Sequence, residues 1–367
     1  MEEPQTLYER IYSWENLLSA YHEAGKEKWF KQDVAQFSAH LEENLISIQN
    51  DLIWHTYEVG RYREFYVYEP KKRLIMALTF RDRVVQWAIY RVLNPIFDNQ
   101  FIYHSYGCRV GKGTTRAADQ LQYWMQAVER KPEEWYYLKL DVSKYFYRVD
   151  HEVLLGILRK KFKGEDELLW LMDRIINCDH TPFGLPPGVE ADSVPPSERL
   201  FEVGMPIGNL TSQLLANVCL NELDQFVKHT LKVHRFVRLM DDMVLLLRTK
   251  EEANYCLAEI EGFLNRELHL DLNAKTTINK VKNGISFVGY QIHANWRKLK
   301  RKTLKKMKAR IRYIEKQYAD GLIDLEAVNS TMQSYYGLLS HCNSYGLRCW
   351  IENNITFKRK DEEDKVK

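Results

Sequence analysis

The residues best equipped for chemistry sit side by side in the segment Arg238, Leu239, Met240, Asp241, Asp242. Phe236, Val237, Leu239 and Met240 lead into the two acids, and an apolar run over 243–247 follows them. This pattern predicts two buried strands joined by a tight turn that carries adjacent carboxylates. Two anions at a hairpin tip repel each other and are poorly solvated, and a divalent cation relieves both problems. Aspartate is also an ordinary turn residue, so the pair alone reads equally well as a plain turn. A third acid shifts the balance. Residues 134–140 predict a strand that runs into Asp141, and residues 154–162 beyond it look helical. An aspartate ending a buried strand, matched to a distant Asp-Asp turn, suits a site with two Mg2+ ions. Such a site clamps the attacking and leaving oxygens of a phosphoryl transfer. Taken singly, a strand-end aspartate is more often a helix cap.

Several elements must position these acids. Residues 1–60 predict helices, with Leu7, Ile11, Trp14, Leu18 and Tyr21 at helical spacing. Residues 61–79 predict a hairpin that turns at 69–72, with Phe65, Val67, Leu74 and Met76 as its apolar positions. Residues 81–97 look helical. The segment 181–203, dense in proline and glycine, predicts an extended loop. Residues 251–267 predict a helix with Leu257, Ile260 and Leu264 on one face, and 303–317 and 325–345 predict more helices. The charge run over 358–367 predicts a frayed tail.

Composition sets bounds. The chain has 367 residues, 45% of them apolar and 13% aromatic, enough for a large core. Net charge is only +3, so its distribution matters more than its total. Within 297–316, Arg297, Lys298, Arg301, Lys305 and Arg312 belong to a basic cluster opposed only by Glu315. A cluster of this kind marks either a nucleic-acid backbone partner or a solvated helix face. The six cysteines form no Cys-x-x-Cys pair, and the eleven histidines show no zinc spacing with them. Free thiols in a reducing cytoplasm account for them. No apolar run reaches membrane-spanning length, and the first residues lack a signal-peptide pattern, so no membrane partner is expected.

On these residues the chain resembles reverse transcriptases. Asp141 with Phe146 is similar to motif A of that family. Residues 204–213, reading Gly-Met-Pro-Ile-Gly-Asn-Leu-Thr-Ser-Gln, are similar to motif B. Residues 239–242 resemble motif C, usually Tyr-x-Asp-Asp, with Leu239 in the place of the tyrosine. Residues 272–276 resemble motif D, and 285–290 motif E. Residues 71–73, 81–83 and 105–109 resemble the fingers motifs. Order and spacing agree over roughly residues 60–350.

The resemblance implies an α/β (α+β) right-hand polymerase fold. N-terminal helices and fingers would occupy 1–130. A palm of antiparallel sheet plus helices would occupy 131–290, with the loop 181–203 inserted. A basic helical thumb and charged tail would occupy 291–367. It implies RNA-directed DNA synthesis from dNTPs on an RNA template, with a DNA or RNA primer and two Mg2+ ions, for which Mn2+ substitutes. Asp141, Val142, Asp241 and Asp242 would hold metal. Phe146 would pack under the ribose and exclude a 2′-OH. Lys72, Arg73 and Arg81 would clamp the triphosphate, and Arg109 would touch template or nucleotide. Ile207, Gly208, Ser212 and Gln213 would line the nascent pair, and Lys275 would protonate pyrophosphate. Arg297, Lys298, Arg301, Lys305 and Arg312 would meet nucleic acid.

Motif B narrows the likeness. Ile207 stands where many relatives carry Gln, and Ser212 with Gln213 follows. That form is similar to the reverse transcriptases of diversity-generating retroelements, which copy template adenine with errors and work with a small basic accessory protein. An anti-phage defence reverse transcriptase with a dedicated non-coding RNA shares the same active site. A non-catalytic RNA-binding scaffold is a third reading, to which only Leu239 points. A group II intron maturase fits less well, because no maturase or endonuclease pattern follows residue 350.

Overall fold

A computed structural model describes residues 6–68, 72–178, 181–186, 189–190 and 194–359. The chain opens with four helices: α1 (Leu7–Tyr12), α2 (Trp14–Gly25), α3 (Gln32–Ala39) and α4 (Leu41–Ile53). A capping box fixes the start of α1, where the Thr6 hydroxyl accepts from Glu9 N–H and the Glu9 carboxylate accepts from Thr6 N–H. An antiparallel hairpin, β1 (Arg63–Val67) and β2 (Arg73–Ala77), leads into the long helix α5 (Phe80–Asp98). Leu74 and Met76 are buried as expected, but Phe65 and Val67 are exposed. The two strands form a sheet of their own, and β1 is exposed along its whole length. Alternation marks which residues share a face, not whether anything covers that face. The expected turn residues 69–71 lie outside the described residues.

Next come α6 (Thr114–Glu129), β3 (Tyr136–Asp141), α7 (Tyr145–Arg148), α8 (His151–Lys161), α9 (Asp166–Ile176), α10 (Leu210–Gln225), β4 (Phe236–Leu239), β5 (Asp242–Leu247), α11 (Lys250–Phe263) and β6 (Thr277–Lys280). The central sheet has the order β4-β5-β3-β6 and is antiparallel throughout. Its period-two pattern serves two cores. Leu138, Leu140, Phe236, Met243, Leu245 and Leu247 join the core built with α5, α8 and α10. Tyr137, Val237, Val244 and Leu246 join the second core, with α6 and the C-terminal elements. Full burial of each aliphatic side chain stabilises by about 1.5–3 kcal/mol, and a one-residue register slip would drive each set into the core shaped for the other.

A small antiparallel sheet follows, β7 (Ile285–Phe287), β8 (Tyr290–Ile292) and β9 (Arg297–Leu299), and then α12 (Arg301–Ala319), α13 (Leu325–Ser340) and α14 (Tyr345–Asn354). Helix α12 buries Met307, Ile311 and Ile314 at helical spacing and leaves Arg301, Lys305 and Arg312 exposed. The single helical stretch expected over 325–345 is a helix that stops at Ser340, with a new one starting at Tyr345. Within 181–203 the described residues form little regular structure beyond the bridges Gly184 to Leu200 and Val203 to Asp150 and a short turn at Pro196–Glu198. Among the described residues no helix is long and apolar enough to cross a membrane.

Candidate active site

The pairing of β3 with β5 sets Asp141 directly opposite Asp242, and the pairing of β4 with β5 sets Leu239 opposite Asp242. Met240 and Asp241 therefore form a two-residue turn beside the strand-end acid. The three carboxylates predicted from sequence meet at one end of the sheet. Burial, then Asp141, then Asp242 push the Asp241 carboxyl up to about 6, while Arg73 on the fingers hairpin pulls the other way. Three half-buried carboxylates form an oxygen-only donor set suited to a hard divalent cation. Among the described residues no three His, Cys, Asp or Glu side chains form a ready-made cage for one ion. A catalytic magnesium site does not need one, since water and substrate phosphates complete its shell. Asp242 has another partner, because Lys139 Nζ lies 2.7 Å from its Oδ1.

The turn is strained and firmly held. Met240 has φ of 54°, the left-handed region that favours glycine. Arg238, with a fully buried side chain, donates to both Asp224 oxygens at 2.8 and 2.6 Å, to Asn217 Oδ1 at 3.0 Å and to Met240 O at 3.2 Å. The other arm of Asn217 donates to Gly107 O at 2.8 Å. The loop around Gly107 lies along β4, with Tyr106 N donating to Arg238 O at 2.8 Å. A Cβ on Gly107 would stand 2.6 Å from Met240 Sδ and 2.7 Å from Met240 N, so glycine alone fits there. The sequence holds one clue to this network: an arginine inside the apolar run 236–240 must find a buried partner. Its partners Asp224 and Asn217 lie on α10, and nothing local to Arg238 points to them.

The motif B loop is wedged between fingers and motif A. Met76 N donates to Ile207 O at 3.0 Å, and Met205 N to Phe146 O at 2.6 Å. Phe146, Tyr147 and Ile207 pack on Leu74, Met76 and Phe183. Gly208, at φ 122°, has room for no side chain without crowding Ile75 and Met76 O. Ser212 is buried and Gln213 half-buried on the first turn of α10. The motif D loop attaches to the acid itself, with Asn273 N donating to Asp141 O at 2.7 Å and Ser143 N to Asp271 O at 2.8 Å. Val142 bridges Leu272. Lys275 lies exposed two residues past Asn273.

Three expected contact residues have structural work elsewhere. Arg109 is ion-paired with Asp98 at 2.6 Å and donates to Ile102 O, Ser105 O and Asp98 O, so its donors staple its own loop. Arg81 pairs with Asp51 and lies over the Tyr57 ring. Arg297 is buried in β9, 2.6 Å from Asp119, and also donates to His341 O. Lys72 and Arg73 remain exposed on the fingers hairpin, with Lys72 over the Tyr66 ring at 4.6 Å. Lys298 is exposed over Trp296, and Arg312 is exposed over Trp350.

Residues 69–292 match the family described as reverse transcriptase (RNA-dependent DNA polymerase). The chain belongs to the reverse transcriptase family. The matched span holds the three acids, Phe146, the motif B loop and the Arg238 network. Curated relatives include protein YkfC of Escherichia coli, 26% identical, covering 62% of this chain and 65% of that protein. They also include the group II intron-encoded protein LtrA of Lactococcus lactis subsp. cremoris, 21% identical, covering 68% and 50%. This reverse transcriptase chain thus spans less than two thirds of either relative. A solved telomerase from Candida albicans, in complex with a fragment of telomeric RNA, aligns at TM-score 0.47 and 15% identity over 77% of this chain and 54% of that one.

Proposed function

We propose that this chain is an RNA-directed DNA polymerase that extends a primer 3′-OH with dNTPs on an RNA template. The observation that carries the reading is Asp141 set opposite Asp242 across β3 and β5, with Asp241 on the adjoining turn and its carboxyl pushed up to about 6. Asp141 and Asp241 would hold two divalent cations, Mg2+ or Mn2+, which when bound activate the 3′-OH and neutralise the triphosphate. Phe146, packed with the motif B loop, would restrict the site to deoxynucleotides. Arg73 would steady the triphosphate, and exposed Lys275 would supply a proton to pyrophosphate. The exposed cations Lys298, Arg301, Lys305 and Arg312 would follow the nucleic-acid backbone.

The finer reading is an error-prone enzyme of a diversity-generating retroelement, working with a small basic accessory protein. Ile207 supports it: an apolar side chain in the motif B loop offers no side-chain hydrogen bond to the nascent pair. The test is Mg2+-dependent dNTP incorporation on a primed RNA template, followed by sequencing of the product. We expect cDNA with errors concentrated opposite adenine, and fewer of them for Ile207→Gln. Matching error spectra for wild type and Ile207→Gln would remove the error-prone reading. RNA binding without incorporation would favour a scaffold.

A further inference from the structure

We propose that Lys139 is a positioning residue that holds Asp242 away from the metal-binding pair and ties the catalytic turn to the small β7–β8–β9 sheet. The inference rests on the polymerase reading of the acids. Lys139 sits in the middle of β3, opposite Val244, between the buried residues Leu138 and Leu140. Two residues before Asp141, it projects from the same face as that acid. Its ammonium lies 2.7 Å from Asp242 Oδ1 and donates to Ser286 O at 2.9 Å. Both side chains of the ion pair are mostly buried, at 19% and 26% exposure.

A lysine is a poor packing choice here. Its strand neighbours on that face, Tyr137 and Val244, belong to an apolar core, and burying an ammonium costs free energy unless it is paired. The ammonium is ion-paired with the carboxylate that opens β5 and donates a hydrogen bond to the backbone of β7. The backbone acceptor gives the contact its reach. Beyond Phe287 the β7–β8 turn passes through Gly289, whose carbonyl accepts from Lys300 N at 3.0 Å, immediately before α12. Asp242, Lys139, Ser286, Gly289 and the start of the thumb helix therefore form one connected series.

With one Asp242 oxygen engaged by an ammonium, the strong metal donors are Asp141 and Asp241. Removing the ammonium frees Asp242 and deletes a positive charge beside the site. Metal should then bind more tightly but in the wrong geometry.

The test uses full-length wild type, Lys139→Met, Lys139→Arg, Asp242→Asn and the double variant Lys139→Met/Asp242→Asn. Mn2+ binding is titrated by electron paramagnetic resonance without nucleotide, and primer extension is measured separately. We expect Lys139→Met to lower the Mn2+ dissociation constant about three- to tenfold while kcat falls at least tenfold. Lys139→Arg should retain both values within about threefold, since it keeps the charge. The double variant should show the Mn2+ affinity of Asp242→Asn alone, so the two effects do not add. Unchanged Mn2+ affinity in a folded Lys139→Met, or full additivity in the double variant, would overturn the inference. If Lys139→Met does not fold, a loss of Mn2+ affinity and activity in Lys139→Arg as large as that of Asp242→Asn would overturn it too. A chain that shows the Mn2+ pattern but never polymerises would sink the functional reading and leave this one standing.

Discussion

Two antiparallel hairpins carry most of the candidate chemistry, and they are built in opposite ways. The palm hairpin, β4 and β5, is buried on both faces, and its turn is held by Arg238, Asn217, Asp224 and Gly107. The fingers hairpin, β1 and β2, is exposed along one whole strand, and of its described strand residues it buries only Leu74 and Met76. Both carry charged residues expected to meet the same triphosphate. Carboxylates that share cations need their separation set before substrate arrives, because a small misplacement is costly in rate. Cations that grip a phosphate can be ordered by the phosphate itself. Damage to the palm hairpin should therefore appear in kcat and stability, and damage to the fingers hairpin in KM.

The largest effect on folding should come from Arg238→Met. It leaves the Asp224 carboxylate buried without its partner, which should lower stability by about 3–5 kcal/mol, measured by urea denaturation. If Arg238→Met unfolds at the wild-type denaturant midpoint, the palm turn does not depend on this network. Gly107→Ala comes next. Its methyl group would meet Met240 N at 2.7 Å, a backbone atom that cannot swing aside. We expect a loss of about 1–3 kcal/mol and a kcat at least tenfold lower, with KM for dNTP little changed. A rise in KM alone would blur the contrast between the hairpins.

Arg73→Ala should do the reverse. Exposed on β2, it should raise KM for dNTP about tenfold while stability stays within about 0.5 kcal/mol. A collapse of kcat at saturating dNTP would mean that the fingers hairpin is as preset as the palm.

The smallest effect is on pH dependence. The Asp241 carboxyl stands at about 6 in the folded chain against an ordinary 3.8. The folded state therefore binds this proton more tightly than the unfolded one. The stabilising contribution is fully present below about pH 4 and is lost as pH rises through about 6. Without divalent metal, wild type should lose more melting temperature between pH 5 and 7 than Asp241→Asn does. Mg2+ should restore more stability at pH 7 than at pH 5, since protons compete for the same oxygens. Equal pH slopes for the two proteins would mean that Asp241 ionises as an ordinary aspartate.

The same contrast explains what was legible in the sequence. Asp141, Asp241 and Asp242 could be read because apolar runs on either side fixed them to strand ends, and β3, β4 and β5 emerged as expected. Motif spacing singled out Phe146 and Ile207, and the structure packs them in one cluster with β2. The partners of cations were not legible. Arg297 pairs with Asp119 and Arg81 with Asp51, far apart in sequence, and a cation on a surface reads like one inside an ion pair until the chain folds. Lys139 is hidden for the same reason: its ion-pair partner lies on β5 and its acceptor on β7. The exposure of β1 was hidden because alternation reports a shared face and not its cover.

On the polymerase reading, the carboxylates at the end of β3 and on the β4–β5 turn perform RNA-templated DNA synthesis. Its most direct test is Mg2+-dependent extension of a primed RNA template by wild type beside Asp241→Ala/Asp242→Ala, with folding of both checked by circular dichroism. Wild type should yield cDNA and the folded double variant at least a thousandfold less, in line with about 4 kcal/mol of barrier. Comparable cDNA from both proteins would contradict it.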